Sequence, residues 1–184
     1  MKNLNRIWFA ATLVFFVSPA VHAELWQGAN QVRPKEFVAG AFGTIGFSPS
    51  NFRVTAQGIY GFGSKAQGEL RLSAGDGSAA LGGYFKHHFL STDLVNIALW
   101  AGARIQSGFG LEGALIMSHA FPKFELYFGP IVSLFFGSGS SVFGMGAIPG
   151  VSIPISNKLK FYGEAALSLV KYQNAVSGGV RFYF

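Results

Sequence analysis

The stretch FRVTAQGIYGF, residues 52–62, alternates between two kinds of side chain with a period of two. Phe52 and Val54 begin a face of apolar or small residues, whereas Arg53 and Gln57 lie on the opposite, more polar face. A period of two is the signature of a β-strand with two different faces. The stretch is also long enough for a tilted strand to cross a bilayer, which takes about 9–11 residues.

The same alternation recurs along nearly the whole chain beyond residue 35. Ten segments show it: 36–47, 52–62, 66–75, 79–90, 94–106, 109–119, 123–136, 142–155, 158–170 and 174–184. Short connections rich in turn-forming residues separate them, such as Ser48-Pro49-Ser50-Asn51 and Gly75-Asp76-Gly77-Ser78. The pattern predicts an all-β fold, an antiparallel transmembrane β-barrel over residues 36–184. Ten strands with short turns on both sides are expected, and eight strands are the alternative.

The composition agrees with a membrane barrel. Of the 184 residues, 50% are hydrophobic, 16% are aromatic and only 12% are charged. An ordinary soluble domain carries about 25% charged residues. No run long enough for a membrane-spanning helix follows the N-terminal segment. Phenylalanines cluster near the predicted strand ends, as interfacial girdles would: Phe37, Phe47, Phe52, Phe62, Phe89, Phe109, Phe124, Phe136 and Phe161.

The N-terminus predicts a cleaved secretory signal peptide over residues 1–23. Lys2 and Arg6 form its basic region, residues 7–17 its apolar core, and Val21-His22-Ala23 a cleavage site with small residues. Residues 24–35 are polar and irregular, and we expect a short periplasmic leader able to enter or cover the mouth of the barrel. The chain has no cysteine, so neither lipid attachment through cysteine nor a disulfide is expected.

Removal of the signal leaves 12 basic and 8 acidic residues, a net charge of +4. This excess is small and forms no run, so a nucleic acid partner is not expected.

The C-terminal residues SGGVRFYF, 177–184, resemble the insertion signal of Gram-negative outer-membrane β-barrels. Ser177, Gly179, Phe182 and Phe184 occupy its polar, glycine and aromatic positions. The resemblance implies a location in the cell outer membrane, periplasmic termini, and recognition by periplasmic chaperones and the barrel-assembly machinery. The wider resemblance, to small outer-membrane barrels, covers residues 36–184 without matching one family.

The alternation places most charged side chains on the inward face. This predicted lumen network comprises Glu36, Arg53, Glu69, Arg71, Lys86, Arg104, Glu112, Lys123, Glu125, Lys160, Glu164 and Arg181. A charge inside a barrel is tolerated only when it is paired or hydrated. Counting residues outward from each predicted turn sets Arg104 opposite Glu112 and Glu164 opposite Arg181. Closure of the barrel brings Arg181 towards Glu36. Charge pairing is the simpler interpretation, and a selectivity zone in a narrow pore is the alternative.

Two prolines mark the hairpin formed by the seventh and eighth segments. A turn centred between Gly139 and Ser140 sets Pro130 opposite Pro149, both facing lipid. Proline cannot donate to a ladder, so this seam is a candidate for lateral access by a lipid or apolar ligand. In that single feature it resembles the proline-marked gap of the lipid A palmitoyltransferase barrel. Local bulges are the simpler interpretation, and the missing donors could instead belong to the seams towards the sixth and ninth segments.

No catalytic or metal-binding constellation is apparent. His87 and His88 are adjacent and point to opposite faces of one strand, and His119 faces outward, so no triad or metal site is expected. No phosphate-binding or dinucleotide pattern occurs, and no cofactor is expected. The sequence therefore favours a non-enzymatic barrel, a narrow small-solute channel or a structural barrel in outer-membrane lipid. A lipid-handling barrel is the alternative, and a lipid A-modifying enzyme is the least favoured one.

Overall fold

The computed structural model describes Leu25 and residues 28–29, 32–47, 50–137 and 139–184. The predicted signal peptide, residues 1–23, lies outside the described residues. Ten strands follow one another: β1 Phe37–Phe47, β2 Asn51–Gly61, β3 Ala66–Gly75, β4 Ser78–Ser91, β5 Asn96–Ile105, β6 Phe109–Ala120, β7 Glu125–Gly137, β8 Ser140–Ser156, β9 Leu159–Val170 and β10 Asn174–Tyr183. In this part of the chain no helix is long and apolar enough to cross a membrane. The prediction of ten strands is confirmed, and the alternative of eight is wrong.

The strands form one closed antiparallel barrel. Each strand pairs with its neighbours in sequence, and β10 closes the ring by pairing with β1, where Val38 lies opposite Tyr183. Closure removes the sheet edges, so the strands can satisfy their backbone groups without water. We call the end with Phe37 and Phe184 the terminal rim and the opposite end the far rim.

The two faces of the wall have opposite chemistry. Large apolar side chains project outward, such as Leu70 and Leu72 of β3, which are 60% and 59% exposed. Arg71, between them in sequence, points inward and is only 5% exposed. A soluble protein buries its leucines and exposes its arginines, whereas a membrane barrel does the reverse. The outer surface is therefore suited to lipid.

Aromatic side chains ring both ends of the barrel. All nine phenylalanines predicted to form girdles are exposed. Phe37 lies 6.0 Å, centroid to centroid, from Phe184 at the terminal rim, and Phe109 stacks on Phe136 at 6.4 Å near the far rim. Aromatic side chains favour the interface between hydrocarbon and headgroups, so the two rings mark the limits of the membrane-embedded band.

The register of the β7–β8 hairpin corrects the predicted position of the prolines. Pro130 lies opposite Ala147, and Pro149 lies opposite Phe128, so the prediction that the prolines face each other is wrong. Gly139, which adopts a left-handed conformation with φ of 78°, lies in the short connection between the strands. The turn is tighter than expected and is centred one residue earlier. Each proline therefore lies opposite a residue two positions earlier in the sequence than predicted.

The hydrogen bonds that the two prolines cannot donate are missing from the β6–β7 and β8–β9 seams, on either side of the hairpin. The β7–β8 ladder is continuous from residue 125 to residue 137. The β6–β7 ladder lapses at residues 129–130, and the β8–β9 ladder lapses at residues 148–149. Because proline lacks an N–H, the position of each lapse indicates that the nitrogen of Pro130 faces β6 and that of Pro149 faces β9. The seam shared by the two prolines is intact.

We expect the variant Pro130→Val to form a new hydrogen bond to β6, and Pro149→Val to form one to β9. Each change supplies an N–H where the ladder lapses, while valine fits a lipid-facing strand position. NMR couplings across hydrogen bonds would identify the acceptor of each new amide. A coupling from residue 130 to a β8 carbonyl would contradict this assignment of the seams.

Candidate functional site in the barrel lumen

The lumen is lined by buried charged side chains of both signs. Eight are at most 8% exposed, namely Glu69, Arg71, Lys86, Arg104, Glu112, Glu125, Glu164 and Arg181. Their four acidic and four basic groups cancel formally. Arg53 and Lys160 are half-buried on the inward face of their strands. Ten of the twelve predicted lumen residues therefore lie on the inward face of the wall.

The other two predicted lumen residues lie outside the strands. Lys123 is exposed in the turn before β7, because that strand begins only at residue 125. Glu36 precedes β1 and accepts a hydrogen bond from the backbone N–H of Arg33 at 3.0 Å. Both predictions extended a strand by one or two residues into a turn.

Glu69 is the centre of the first part of the lumen network. Its carboxylate accepts hydrogen bonds from Gln57 and Arg71 and from the indole N–H of Trp100 at 3.3 Å. Gln57 in turn accepts a hydrogen bond of 2.9 Å from Nε of Arg181. A buried carboxylate is stable only with such partners, so these side chains form one connected unit across β2, β3, β5 and β10.

Aromatic stacking extends this unit to a second ion pair. The guanidinium of Arg71 lies 4.7 Å from the centroid of the Tyr84 ring, which stacks on Trp100 at 4.4 Å. The hydroxyl of Tyr84 donates to Oε2 of Glu112 at 2.8 Å. Nη2 of Arg104 lies 3.3 Å from Oε1 of Glu112. The predicted contact between Arg104 and Glu112 is confirmed, although it runs diagonally because Glu112 is directly opposite Gly102.

The other predicted charge pairs are wrong. Arg181 lies opposite Lys160 on β9 and opposite Gly40 on β1, and thus faces neither Glu164 nor Glu36. Its guanidinium instead lies 4.7 Å from the Tyr162 ring centroid. The register differs because the β9–β10 turn lies closer to β9 than predicted.

The shift arises because the two residues predicted to form the tip of this turn are buried instead. Tyr172 and Gln173 are directed into the lumen, 7% and 3% exposed, and the turn instead uses Lys171 in a left-handed conformation.

Inward-facing aromatic residues are the main feature that sequence reasoning missed. Tyr84, Trp100, Tyr127 and Tyr162 are all buried inside the barrel. Three of them donate to buried carboxylates, as Tyr127 does to Glu164 at 3.1 Å, whereas the hydroxyl of Tyr162 pairs with that of Tyr183 at 2.9 Å. Their inward orientation could have been predicted, since each lies an even number of residues from an inward charged residue on the same strand. They make the lumen narrower than the charges alone indicated.

The described residues of the N-terminal segment lie in the lumen. By this name we mean residues 25–32, of which Leu25, Gly28, Ala29 and Val32 are described. Leu25 and Ala29 are fully buried, and Val32 is 4% exposed. The predicted leader therefore enters the barrel, one of the two positions expected for it.

Leu25 is held from both sides at the inner end of the segment. Its N–H donates to Oε2 of Glu164 at 3.2 Å, and its carbonyl accepts from Nη2 of Arg71 at 2.9 Å. Its side chain occupies the space that a β-carbon on Gly129 would need, beside Ile116. The wall thus provides two charged groups for the backbone of Leu25 and a notch for its side chain.

Gly28 lies close to the wall, against the end of the Glu125 side chain. A β-carbon at this position would collide with the carboxylate of Glu125. The carbonyl of Gly28 accepts a hydrogen bond of 3.1 Å from Nζ of Lys86. Any larger residue would have to displace the buried Glu125 carboxylate, so close approach rather than backbone conformation favours glycine here.

Two neutral side chains hold the rest of the segment. Ser118 accepts the N–H of Ala29 at 3.1 Å, and Gln67 accepts the N–H of Val32 at 3.1 Å. His88 and Ala29 line a cavity of about 120 Å³ near the terminal rim. The segment thus follows the lumen wall from that rim inward.

A tight turn reverses the chain between the segment and β1. The N–H of Glu36 donates to the carbonyl of Arg33 at 3.1 Å, and Lys35 has a φ of 66°. Proline at the second position and a positive φ at the third define a type II turn. Gly61 lets the chain pass, because a β-carbon there would collide with the Arg33 carbonyl. The turn directs the preceding residues back into the barrel.

The described residues contain no arrangement suited to a metal ion, since no three His, Cys, Asp or Glu side chains cluster. His87 packs against Phe85 and Phe89 on the outer face, opposite to His88, as their adjacency predicts. A closed ten-stranded barrel with an apolar exterior and a charged interior defines a transmembrane β-barrel of the outer-membrane class.

Solved structures share this fold. An outer membrane channel from Pseudomonas putida F1 aligns with a TM-score of 0.55 and 7% identity, covering 89% of this chain and 100% of that chain. The KdgM porin gives 0.48 and 16%, covering 80% and 99%, and Omp33 of Acinetobacter baumannii gives 0.48 and 10%, covering 84% and 100%. No protein-family model and no curated protein matches the chain. The first similarity agrees with the predicted fold class.

We expect Gly28→Val to expel the N-terminal segment without unfolding the barrel, because the new side chain collides with Glu125. A cysteine introduced by Val32→Cys would report this, since the chain has no other cysteine. A water-soluble maleimide should label it slowly in the parent and at least about tenfold faster with Gly28→Val, as loss of one hydrogen bond to a charged group predicts. The matched control is Gly83→Val, where a β-carbon meets nothing within 4 Å. Equal labelling in all three backgrounds would show that the segment is not held at Gly28.

Proposed function

We propose that this protein is an outer-membrane channel for small polar solutes, closed in the state described here by its own N-terminal segment. The observation that carries the proposal is that the barrel wall is complete without the segment. The ladder between β1 and β10 begins at Val38, and the segment adds no strand to it. Withdrawal of the segment would leave the wall intact.

The surface behind the segment carries charged groups beside an apolar patch that includes Ile116, and the charged groups could line a solute path. Arg71, Lys86 and Glu164 all direct charged atoms at the segment's backbone. A barrel of eight strands is just filled by its side chains, and ten strands enclose more space. Without the segment these charged groups would face water, and opposite charges around a narrow passage are a means of selecting solutes.

A structural barrel is the second candidate, and the lumen network favours it. The unit that joins Arg181, Glu69 and Arg71 spans several strands and braces the interior. Such a barrel would keep its segment in place permanently. The two candidates differ in whether the lumen ever conducts.

The other predicted roles have less support. Lateral access through a seam shared by Pro130 and Pro149 has lost its geometric basis, because that seam is continuously paired. We propose membrane lipid as the partner of the apolar belt and no catalytic role. The insertion signal places Phe182 and Phe184 on the exposed face at the terminal rim, where its recognition by the assembly machinery stays a prediction.

We expect deletion of residues 25–32 to produce steady ionic conductance in planar bilayers, whereas the parent protein conducts rarely. The reason is that the deletion removes only the lumen-filling segment. Heat-modifiable mobility on gels would verify that the deleted barrel is folded, and Gly83→Val serves as a folded, closed control. A folded deletion variant without conductance above background would reject the channel and leave the structural barrel.

A further inference from the structure

The lumen recognises the N-terminal segment through its peptide backbone. Each of the five hydrogen bonds from Gln67, Arg71, Lys86, Ser118 and Glu164 ends on a backbone N–H or C=O. Such bonds do not depend on the side chains of the bound peptide. The lumen is therefore complementary to a polypeptide backbone as a chemical class.

Donors and acceptors are distributed to suit a peptide's two kinds of polar group. Arg71 and Lys86, on the neighbouring strands β3 and β4, donate to carbonyl oxygens. Ser118 and Glu164, on β6 and β9, accept N–H groups from across the lumen. A sugar or a simple ion lacks this regular sequence of donors and acceptors. The spacing of the wall groups thus favours amides.

Two positions add selectivity for side chains. The notch at Gly129 and Ile116 accepts an apolar side chain, which Leu25 supplies. Three residues later, Gly28 lies against the carboxylate of Glu125, which any larger side chain would have to displace. The pattern that fits is an apolar residue followed three positions later by glycine.

We infer that the lumen is a peptide-binding site and that short peptides with this pattern are ligands it takes once the N-terminal segment is out. The inference deepens the proposed function. Passage of such peptides through the barrel rests on the proposed channel. Binding itself requires only an unoccupied lumen. In the complete chain the tethered segment competes at an effective concentration in the millimolar range, as short linkers give.

The test uses the folded barrel lacking residues 25–32, in detergent, and a fluorescently labelled peptide of sequence ELWQGANQVR, which corresponds to residues 24–33. We expect saturable binding by fluorescence anisotropy. A peptide carrying Gly28→Val should bind about tenfold or more weakly, because valine collides with Glu125. The complete chain should bind the parent peptide about tenfold or more weakly, because its own segment competes.

Wall variants identify the site. In the deleted barrel, Lys86→Met and Glu164→Gln should each weaken binding about tenfold, as expected for loss of a charge-assisted hydrogen bond. The matched control is Lys158→Met, an exposed lysine in the turn between β8 and β9, outside the lumen. It should leave the affinity unchanged.

The outcomes separate this inference from the proposed channel. Equal binding of the parent and Gly28→Val peptides, or no saturable binding, would overturn peptide recognition even if the deleted barrel conducts. Specific binding without conductance would support peptide recognition and reject the channel. Specific binding that also blocks the conductance of the deleted barrel would support both.

Discussion

Satisfaction of backbone hydrogen bonds without water is the constraint from which the rest of this structure follows. In hydrocarbon an unpaired N–H or C=O costs several kcal/mol, so a sheet must close on itself. Here the pairing of β10 with β1 achieves closure. Closure in turn divides every strand into a lipid face and a lumen face, and all side chains too polar for lipid must share the interior. Pro130 and Pro149 are local exceptions, each on a different seam.

The crowded interior creates a second requirement, because buried charges need partners. Direct ion pairs meet it only in part, as for Arg104 with Glu112. Aromatic hydroxyls and ring faces meet it elsewhere, as Tyr84 does for Glu112 and Arg71. The backbone of the N-terminal segment supplies further partners, acting where a soluble protein would use water. The segment thus contributes to the electrostatic balance of the lumen as well as to its filling.

The strands were predictable from sequence because alternation and turn composition are local properties. The register was not, since it depends on turn conformation. Gly139 shifts one hairpin by two positions, and burial of Tyr172 shifts another. These shifts explain why the faces of Glu164 and Arg181 were predicted correctly and their pairing was not. The path of the N-terminal segment could not be predicted, because a polar, aperiodic stretch has no strand signature. Its signals were Pro34 at a turn position and Gly28.

The way the segment is held bears on whether it can leave. Ordering one residue costs about 1–2 kcal/mol of backbone entropy, and one hydrogen bond returns about 0.5–1.5 kcal/mol net. The bond from Val32 to neutral Gln67 therefore only roughly offsets the cost of ordering that residue, whereas Leu25 is held more firmly by bonds to the charged Glu164 and Arg71. Burial of their apolar side chains supplies the remaining stability. A wall strand such as β2 is instead held along both edges by continuous ladders. Departure of the segment from the lumen would therefore leave those ladders unbroken.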